Sequence, residues 1–127
     1  MRVLLDTHVF VWSVMDHPKL DQRAREFIAS ADEIYISAVS LWEIAIKSGL
    51  GKIEVNADEL VSAIGESGFI ALPITPEHAA RVGRLPVVNS HKDPFDRMLV
   101  AQALTEPLVL LTADEKLVAY GEIVRVI

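Results

Sequence analysis

The sequence predicts an α/β fold in which helices flank a short, mostly parallel sheet. Short apolar runs rich in Val, Ile and Leu recur along the chain, and most lack the strict alternation of a half-exposed strand. Helical patterns lie between these runs, and strands that alternate with helices of this length form βαβ units. The chain has 127 residues, of which 51% are hydrophobic, so it is long enough for one domain with a sizeable buried core but too short for two ordinary domains. We therefore expect residues 1–127 to form a single domain.

The individual elements follow from the same patterns. The predicted strands are residues 3–5, 34–37, 69–72, 108–111 and 123–127. The clearest helical patterns cover residues 21–31, 40–48, 57–67, 76–85 and 94–104. Glycine and proline mark turns or loops at residues 49–52, 72–76 and 85–94.

Composition narrows the classes of function. The 12 Lys and Arg residues against 18 Asp and Glu give a net charge of −6, which argues against nucleic-acid binding through bulk positive charge. The chain has no cysteine, so thiolate zinc sites and thiol nucleophiles are excluded. No apolar segment approaches the roughly 20 residues of a membrane span, and the N-terminus lacks a signal-peptide pattern. We expect a cytoplasmic protein.

Acidic residues follow several of the predicted strands. Asp6 ends the first apolar run, Asp114 lies three residues beyond the fourth, and Glu43 falls in the first turns of the helix after the second. Asp96 lies at the start of an apolar stripe on the helix that begins near Pro94. Because functional groups collect beyond the carboxyl ends of parallel strands, these acids are expected to meet there.

Helix capping is the competing interpretation of each acid. Asp93 before Pro94 is a good N-cap, and Asp96 then has the spacing of a capping-box acid. Asp6 and Asp114 could cap the helices that follow them. The capping-box spacing recurs in Ser40 with Glu43 and in Thr112 with Glu115. Capping is the stronger interpretation for Asp93 and about as good as a functional one for Asp96, Glu43 and Asp114.

Capping does not explain the apolar surroundings of two acids. Glu43 carries the only charge in residues 38–46, and Asp6 also lies between apolar segments. A buried, unpaired carboxylate costs several kcal/mol or becomes protonated, and neighbouring carboxylates repel each other. A divalent cation would offset both effects. Oxygen ligands without cysteine favour Mg²⁺ or Mn²⁺, which suits phosphodiester hydrolysis.

Several stretches together resemble a known family. In chain order they are "LLDTHVFVW", "SAVSLWEIAIKSGLGK", "LPIT", "HKDPFDRMLVAQA" and "LLTAD". The chain resembles the PIN-domain ribonucleases of the VapC toxin type over nearly its whole length. The resemblance implies a PIN-like three-layer α/β/α fold, a Mg²⁺- or Mn²⁺-dependent endoribonuclease, a cognate antitoxin and a homodimer.

The resemblance also assigns the four acids as one catalytic, metal-binding set. The family's acids fall, in order, on Asp6, Glu43, Asp96 and Asp114, which leaves Asp93 as the N-cap. Asp6 and Asp96 are expected to bind the principal metal directly. Glu43 and Asp114 are expected either to complete that site through water or to hold a second ion.

Residues near these motifs have weaker functional interpretations. Thr7 and Thr112 could bond a carboxylate, although helix capping is slightly favoured for both. Lys47, Lys52, Lys92 and Arg97 are candidates for contacts with an RNA backbone, with Arg97 the strongest. His8 and His91 lie near the site in sequence, but neither is assigned as a general base.

The two tryptophans are predicted to lie in strongly apolar helices. Trp12 and Trp42 are therefore expected in the core or at an interface, not as platforms for base stacking. A weaker hypothesis groups them with Val9, Phe10 and Ile46 as an exposed apolar surface for an antitoxin helix or a second copy of the chain.

Other α/β domains fit the sequence less well. A phosphoacceptor receiver module would need paired acids after the first strand and a lysine at the end of a late strand, whereas Asp6 is single and "LVLLTAD" contains no lysine. A haloacid-dehalogenase-type phosphatase would need a second aspartate two residues after Asp6. A catalytically inactive PIN-fold protein that only binds partners remains the alternative, although all four acids are present.

Overall fold

The computed structural model describes residues 1–127 and contains one five-stranded sheet. The strands are β1 (Arg2–Leu5), β2 (Glu33–Ser37), β3 (Ile70–Leu72), β4 (Val109–Thr112) and β5 (Val124–Val126). Their order across the sheet is β3-β2-β1-β4-β5, and every neighbouring pair is parallel. All five strands match the segments predicted from sequence.

Six α-helices and one 3₁₀ helix connect the strands. They are α1 (Thr7–Met15), α2 (Gln22–Ser30), α3 (Ala38–Gly49), α4 (Ala57–Glu66), α5 (Pro76–Val82), α6 (Pro94–Thr105) and the 3₁₀ helix Glu115–Tyr120. None of the helices is both long enough and apolar enough to cross a membrane.

Helix α1 was not among the helical patterns delimited from sequence. Its residues include Val9, Phe10, Val11, Trp12 and Val14, so apolar side chains occupy nearly every side of the helix. Such a segment lacks the 3.6-residue polarity pattern by which the other helices were found.

The sheet separates two apolar cores, one on each face. Along β1, Val3 and Leu5 belong to one core, whereas Leu4 belongs to the other. The first core includes residues of α1, α2 and α4, and the second includes residues of α5 and α6. This alternation confirms the expected three-layer α/β/α architecture.

The strand order places the end of β1 at a switch point. From β1 the chain first builds β2 and β3 on one side of the sheet and then β4 and β5 on the other. Open parallel sheets bind ligands at the carboxyl ends of strands where the order reverses in this way. Asp6, the residue that follows β1, occupies that position.

Candidate functional site

Asp6 is buried at the central crevice of the sheet, and only 6% of the residue's surface is exposed. Its backbone N–H donates to Leu111 O on β4, which fixes the end of β1 against its neighbour. One carboxylate oxygen accepts from the Val9 N–H at 2.9 Å, and the other accepts from the Thr112 hydroxyl. Burial raises the pKa of Asp6, the two hydrogen bonds oppose the rise, and the charge of Glu43 adds to it.

Glu43 is the second buried acid and lies on α3, the helix that follows β2. It is 6% exposed, and its Oε2 accepts from Lys47 Nζ one helical turn later, at 2.6 Å. The helix begins at Ala38 and is capped by the Ser37 hydroxyl, so Glu43 lies too far along the helix to act in a cap. Glu43 is thus a charged side chain placed among apolar ones and paired with a single cation.

Asp96 lies in the first turn of α6, on the stripe that continues through Leu99, Val100 and Ala103. All three of these apolar residues are fully buried, as the helical spacing predicts. Burial, then the charge of Asp93, raises the pKa of Asp96 to about 6, and the charge of Asp6 adds to the rise. Asp6 is therefore close enough to Asp96 to raise the pKa of Asp96, and Glu43 is close enough to Asp6 to raise the pKa of Asp6.

Asp114 joins this group only indirectly. It is partly exposed and caps the 3₁₀ helix by accepting from the Lys116 N–H at 3.0 Å. Its own N–H donates to Thr112 Oγ1, and the Thr112 hydroxyl donates to Asp6. The structure thus connects Asp114 to Asp6 through one shared threonine.

The capping interpretation is correct for three of the acids. Asp6, Asp93 and Asp114 are the N-caps of α1, α6 and the 3₁₀ helix. The capping boxes expected from spacing do not form: Asp96 bonds His91 and not the backbone of Asp93, Ser40 is inside α3, and Thr112 lies before the cap. Asp6 combines both interpretations, since it caps a helix and also lies in the buried acidic group.

The expected capping role of the two threonines is wrong. The Thr7 hydroxyl donates to Ser40 Oγ at 3.0 Å, which ties the start of α1 to α3. The Thr112 hydroxyl bonds a carboxylate, as the alternative interpretation held. The Thr7 bond links α1 to α3, which carries Glu43, and the Thr112 bond links β4 to Asp6.

A hard divalent cation fits the chemistry of these donors. The acids supply oxygen ligands without a sulfur ligand. Burial, and to a smaller extent neighbouring negative charge, raises the pKa of Asp6 and Asp96, and a bound cation would favour their ionised forms. Each acid is engaged by a protein donor in the described side-chain conformations. In those conformations no group of three or more His, Asp or Glu side chains is arranged to hold one ion.

His91 and Tyr120 are the neighbours of the site that sequence reasoning did not assign. His91 Nε2 lies 3.2 Å from Asp96 Oδ2, and His91 Nδ1 lies 2.9 Å from Tyr120 Oη. In the sequence, only the position of His91 two residues before Asp93 indicated that His91 lies near the site. Tyr120 lies 24 residues after Asp96 in the sequence, at the end of the 3₁₀ helix, so no local spacing in the sequence connects it to the site.

The expectation that Arg97 tracks an RNA backbone is not met by its geometry. Its guanidinium donates to Tyr120 Oη at 3.0 Å and to Pro86 O at 2.9 Å, with longer bonds to Val82 O and Leu85 O. These protein oxygens accept from the guanidinium N–H groups with which Arg97 would otherwise bind a phosphate. Arg97 instead holds the loop that precedes α6.

The proposed apolar surface is only partly present. Val9 and Phe10 are fully buried and cannot belong to it, and Trp12 is partly buried against the first core. Trp42 is 59% exposed, so a core position is wrong for that residue, and Ile46 one turn later is 39% exposed. The Trp42 ring contacts the edge of Phe95 at 5.2 Å between centroids, across the packing of α3 on α6.

The fold and the site together define a parallel α/β domain with buried, mutually repelling acids at its switch point. The PIN domain model matches residues 3–123, and the chain belongs to the PIN domain family. Among curated relatives, it is 32% identical over 117 residues to Ribonuclease VapC22 of Mycobacterium tuberculosis, covering 91% of this chain and 88% of that protein.

Solved structures show the same fold. The VapBC2 structure from Rickettsia felis, bound to a DNA fragment from the promoter, matches with a TM-score of 0.71 and 20% identity, covering 98% of both chains. DNA-bound VapBC from Salmonella typhimurium also matches with a TM-score of 0.71, at 17% identity over 98% of this chain and 97% of that one. The expected resemblance and the α/β/α fold are therefore confirmed.

Proposed function

We propose that this protein is a divalent-metal-dependent endoribonuclease, the toxin of a VapC-type toxin–antitoxin pair. The observation that carries the proposal is the group formed by the buried Asp6 and Glu43 and the partly buried Asp96 near the switch point, where burial, with a smaller contribution from neighbouring charges, raises the pKa of Asp6 and Asp96. The name of the mycobacterial relative, a ribonuclease, supports the class of reaction.

In this proposal the acids hold Mg²⁺ or Mn²⁺. Asp6 and Asp96 are the direct ligands, and Glu43 and Asp114 complete the site through water or hold a second ion. The bound metal would supply an activated water and stabilise charge on the phosphoryl oxygens during hydrolysis. Ionised carboxylates are needed for this binding, so the cation and the proton compete for Asp96.

The chain's own residues keep the acids oriented. The Val9 N–H and the Thr112 hydroxyl hold both oxygens of Asp6, and they lower the cost of keeping it ionised in a buried place. The Lys47 ammonium donates to Glu43 Oε2 and orients that side chain. These contacts hold Asp6 and Glu43 in defined orientations, and a metal would have to compete with the protein donors for their oxygens.

RNA would be held locally and not by overall charge. Lys52 and Lys92 are exposed and flank segments that carry the site, so they are the remaining candidates for phosphate contacts now that Arg97 is engaged. The net charge of −6 implies that binding without the metal is weak.

Three further expectations belong to the same proposal. We propose a cognate antitoxin as partner, because the structural relatives include VapBC assemblies and a toxin–antitoxin complex from Klebsiella pneumoniae. The homodimer rests on the family resemblance alone. Residues 1–127 are proposed to act as one nuclease domain.

The test is RNA cleavage by purified protein that is free of any inhibitor. Total cellular RNA is incubated with Mg²⁺, with Mn²⁺ or with a chelator, using the wild type, Asp96→Asn and Asp93→Asn. The proposal predicts cleavage only with metal, loss of about a hundredfold or more in Asp96→Asn, and retention in Asp93→Asn, whose amide still caps α6.

Two outcomes would overturn the proposal. Cleavage that persists with chelator and in Asp96→Asn would exclude a metal-dependent nuclease at this site. Absence of cleavage under every metal condition, in protein shown to be folded, would favour the inactive partner-binding alternative.

A further inference from the structure

His91 connects the acidic site to two residues that do not reach it themselves. Arg97 Nη1 lies 3.0 Å from Tyr120 Oη, Tyr120 Oη lies 2.9 Å from His91 Nδ1, and His91 Nε2 lies 3.2 Å from Asp96 Oδ2. We propose that His91 is a positioning residue for Asp96, held as the neutral tautomer with its proton on Nε2 by a one-way chain of hydrogen bonds from Arg97 through Tyr120. This inference rests on the proposed function, which makes Asp96 a metal ligand.

The direction of the chain is fixed at both ends. A guanidinium has donors and no acceptor, so Tyr120 Oη must accept from Arg97. An ionised carboxylate only accepts, so His91 Nε2 must donate to Asp96. A neutral imidazole has one donor, so Nδ1 is the acceptor and takes the Tyr120 O–H. Each bond therefore donates toward the acid.

The start of the chain is anchored firmly. Besides Tyr120, Arg97 donates to the carbonyls of Pro86, Leu85 and Val82, which tie the segment before His91 to α6. The His91 N–H donates to Val88 O at 2.8 Å and closes a turn. The ring of Tyr120 meets that of His91 edge to face, with 5.6 Å between centroids. His91 is thus held by its backbone, by its ring face and through Nδ1.

The hydrogen bonds of His91 indicate that it positions Asp96 and exclude a role as general base. His91 engages Asp96 at Oδ2, which leaves Oδ1 for a ligand. Both nitrogens of the neutral ring are occupied, so His91 has no free lone pair with which to take a proton from water. His91 therefore acts through Asp96, in the way that outer residues orient metal ligands elsewhere.

The first experiment measures the tautomer. Long-range ¹H–¹⁵N NMR on metal-free protein, recorded above about pH 8 where an ordinary histidine is neutral, separates protonated from unprotonated ring nitrogens. The proposal predicts the proton on Nε2 in the wild type. Tyr120→Phe keeps the ring contact but removes the hydroxyl that donates to Nδ1, so the ¹⁵N shift of Nδ1 should change to that of a nitrogen that accepts no hydrogen bond, while Nε2 still donates to Asp96. A proton on Nδ1 in the wild type, or an Nδ1 shift that is unchanged in Tyr120→Phe, would overturn it.

The second experiment measures Mn²⁺ affinity by calorimetry. His91→Ala should weaken binding by about tenfold or more, and His91→Gln should restore most of it because its amide can still donate to Asp96. His17→Ala, beyond the far end of α1, is the matched control and should bind as the wild type does. Equal losses in His91→Ala and His91→Gln, or no loss in either, would contradict the positioning role.

The two experiments separate this inference from the proposed function. A wild type that binds no Mn²⁺ would count against the metal-dependent nuclease. The NMR measurement of the His91 tautomer would still test the proposed direction of the hydrogen bonds. A wild type that binds Mn²⁺ and cleaves RNA, with the His91 proton on Nδ1, would remove the inference alone.

Discussion

Helix α6 carries polar side chains that are wholly or partly buried at both ends, and the environments of the two ends differ. At the N-terminal end, partial burial and then the charges of Asp93 and Asp6 raise the pKa of Asp96 to about 6. At the C-terminal end, Gln102 lies beside His78, and both are fully buried. The first end collects like charges, whereas the second pairs donors with acceptors.

His78, Gln102 and Glu106 form a cluster at the C-terminal end of α6, called the C-terminal cluster below. Almost all of the polar side-chain atoms in this cluster are hydrogen-bonded. His78 Nδ1 accepts from the Thr75 N–H at 3.0 Å, and His78 Nε2 lies 2.5 Å from Glu106 Oε2. Gln102 Nε2 reaches Pro73 O and His78 Nδ1, which leaves Gln102 Oε1 as the buried side-chain atom without a partner. Paired groups of this kind hold α5 and α6 together, while repelling carboxylates lower stability and are retained for chemistry.

The largest effect on stability is expected from the C-terminal cluster. His78→Ala removes a fully buried ring and leaves the Thr75 N–H and the Glu106 carboxylate without their partner. We expect the free energy of unfolding to fall by about 3 kcal/mol, measured by urea denaturation, with Mn²⁺ affinity unchanged. A loss well below about 1 kcal/mol, or weakened Mn²⁺ binding in the folded variant, would show that the two ends do not differ as described.

A smaller effect is expected from pH at the N-terminal end. Because the pKa of Asp96 is raised from 3.8 to about 6, the folded state keeps a proton that the unfolded state releases in that range. This contribution to stability is fully present below about pH 4 and is lost as pH rises through about 6. We expect Asp96→Asn to gain about 2 kcal/mol relative to the wild type between pH 4 and 7, after allowance for solvent screening.

Comparison with the asparagine variant isolates this effect, because the other carboxylates titrate in both proteins. Urea denaturation of the two metal-free proteins across the range provides the measurement. A raised pKa at Asp96 would be refuted if the difference in the free energy of unfolding between the two proteins stays constant with pH, or if the wild type gains stability relative to Asp96→Asn as pH rises.

The smallest effect is expected from the cap. Asp93 accepts from the Phe95 and Asp96 N–H groups at 2.9 and 3.0 Å. Asp93→Ala should cost about 1 kcal/mol of stability, and Asp93→Asn a few tenths, because asparagine is an equally good cap. Both variants remove a charge that raises the pKa of Asp96, so its titration should move to lower pH. Carboxylate NMR would detect the shift, and an unmoved titration would show that Asp93 acts only as a cap.

The sequence predicted most of the scaffold and the elements that carry the site. Apolar runs are enough to find the strands, and the βαβ order then brings Asp6, Glu43 and Asp96 to one edge of the sheet. A helix after Asp6 was expected from the capping interpretation, but the bounds of α1 were not predicted because the segment is apolar on nearly every side, including the fully buried Val9 and Phe10. A hydrophobic segment without periodicity does not reveal its own conformation.

The donors that hold the acids could not be predicted in the same way. The Thr112 hydroxyl could have capped a helix or bonded a carboxylate, and only its position beside Asp6 decides. Arg97 was the strongest candidate for a phosphate contact until loop carbonyls were found to occupy it. Sequence spacing gives the face on which a residue lies, whereas hydrogen-bond partners from distant loops depend on the folded chain.

The central claim is that the acidic end of α6 and the end of β1 lower stability in order to bind a metal. Thermal unfolding of the wild type and Asp6→Asn, each with and without Mn²⁺, tests it most directly. Since burial raises the pKa of Asp6, the metal-free variant should be at least as stable as the wild type at neutral pH, and Mn²⁺ should stabilise only the wild type. A variant that is less stable without metal, yet gains as much from Mn²⁺ as the wild type, would contradict the account.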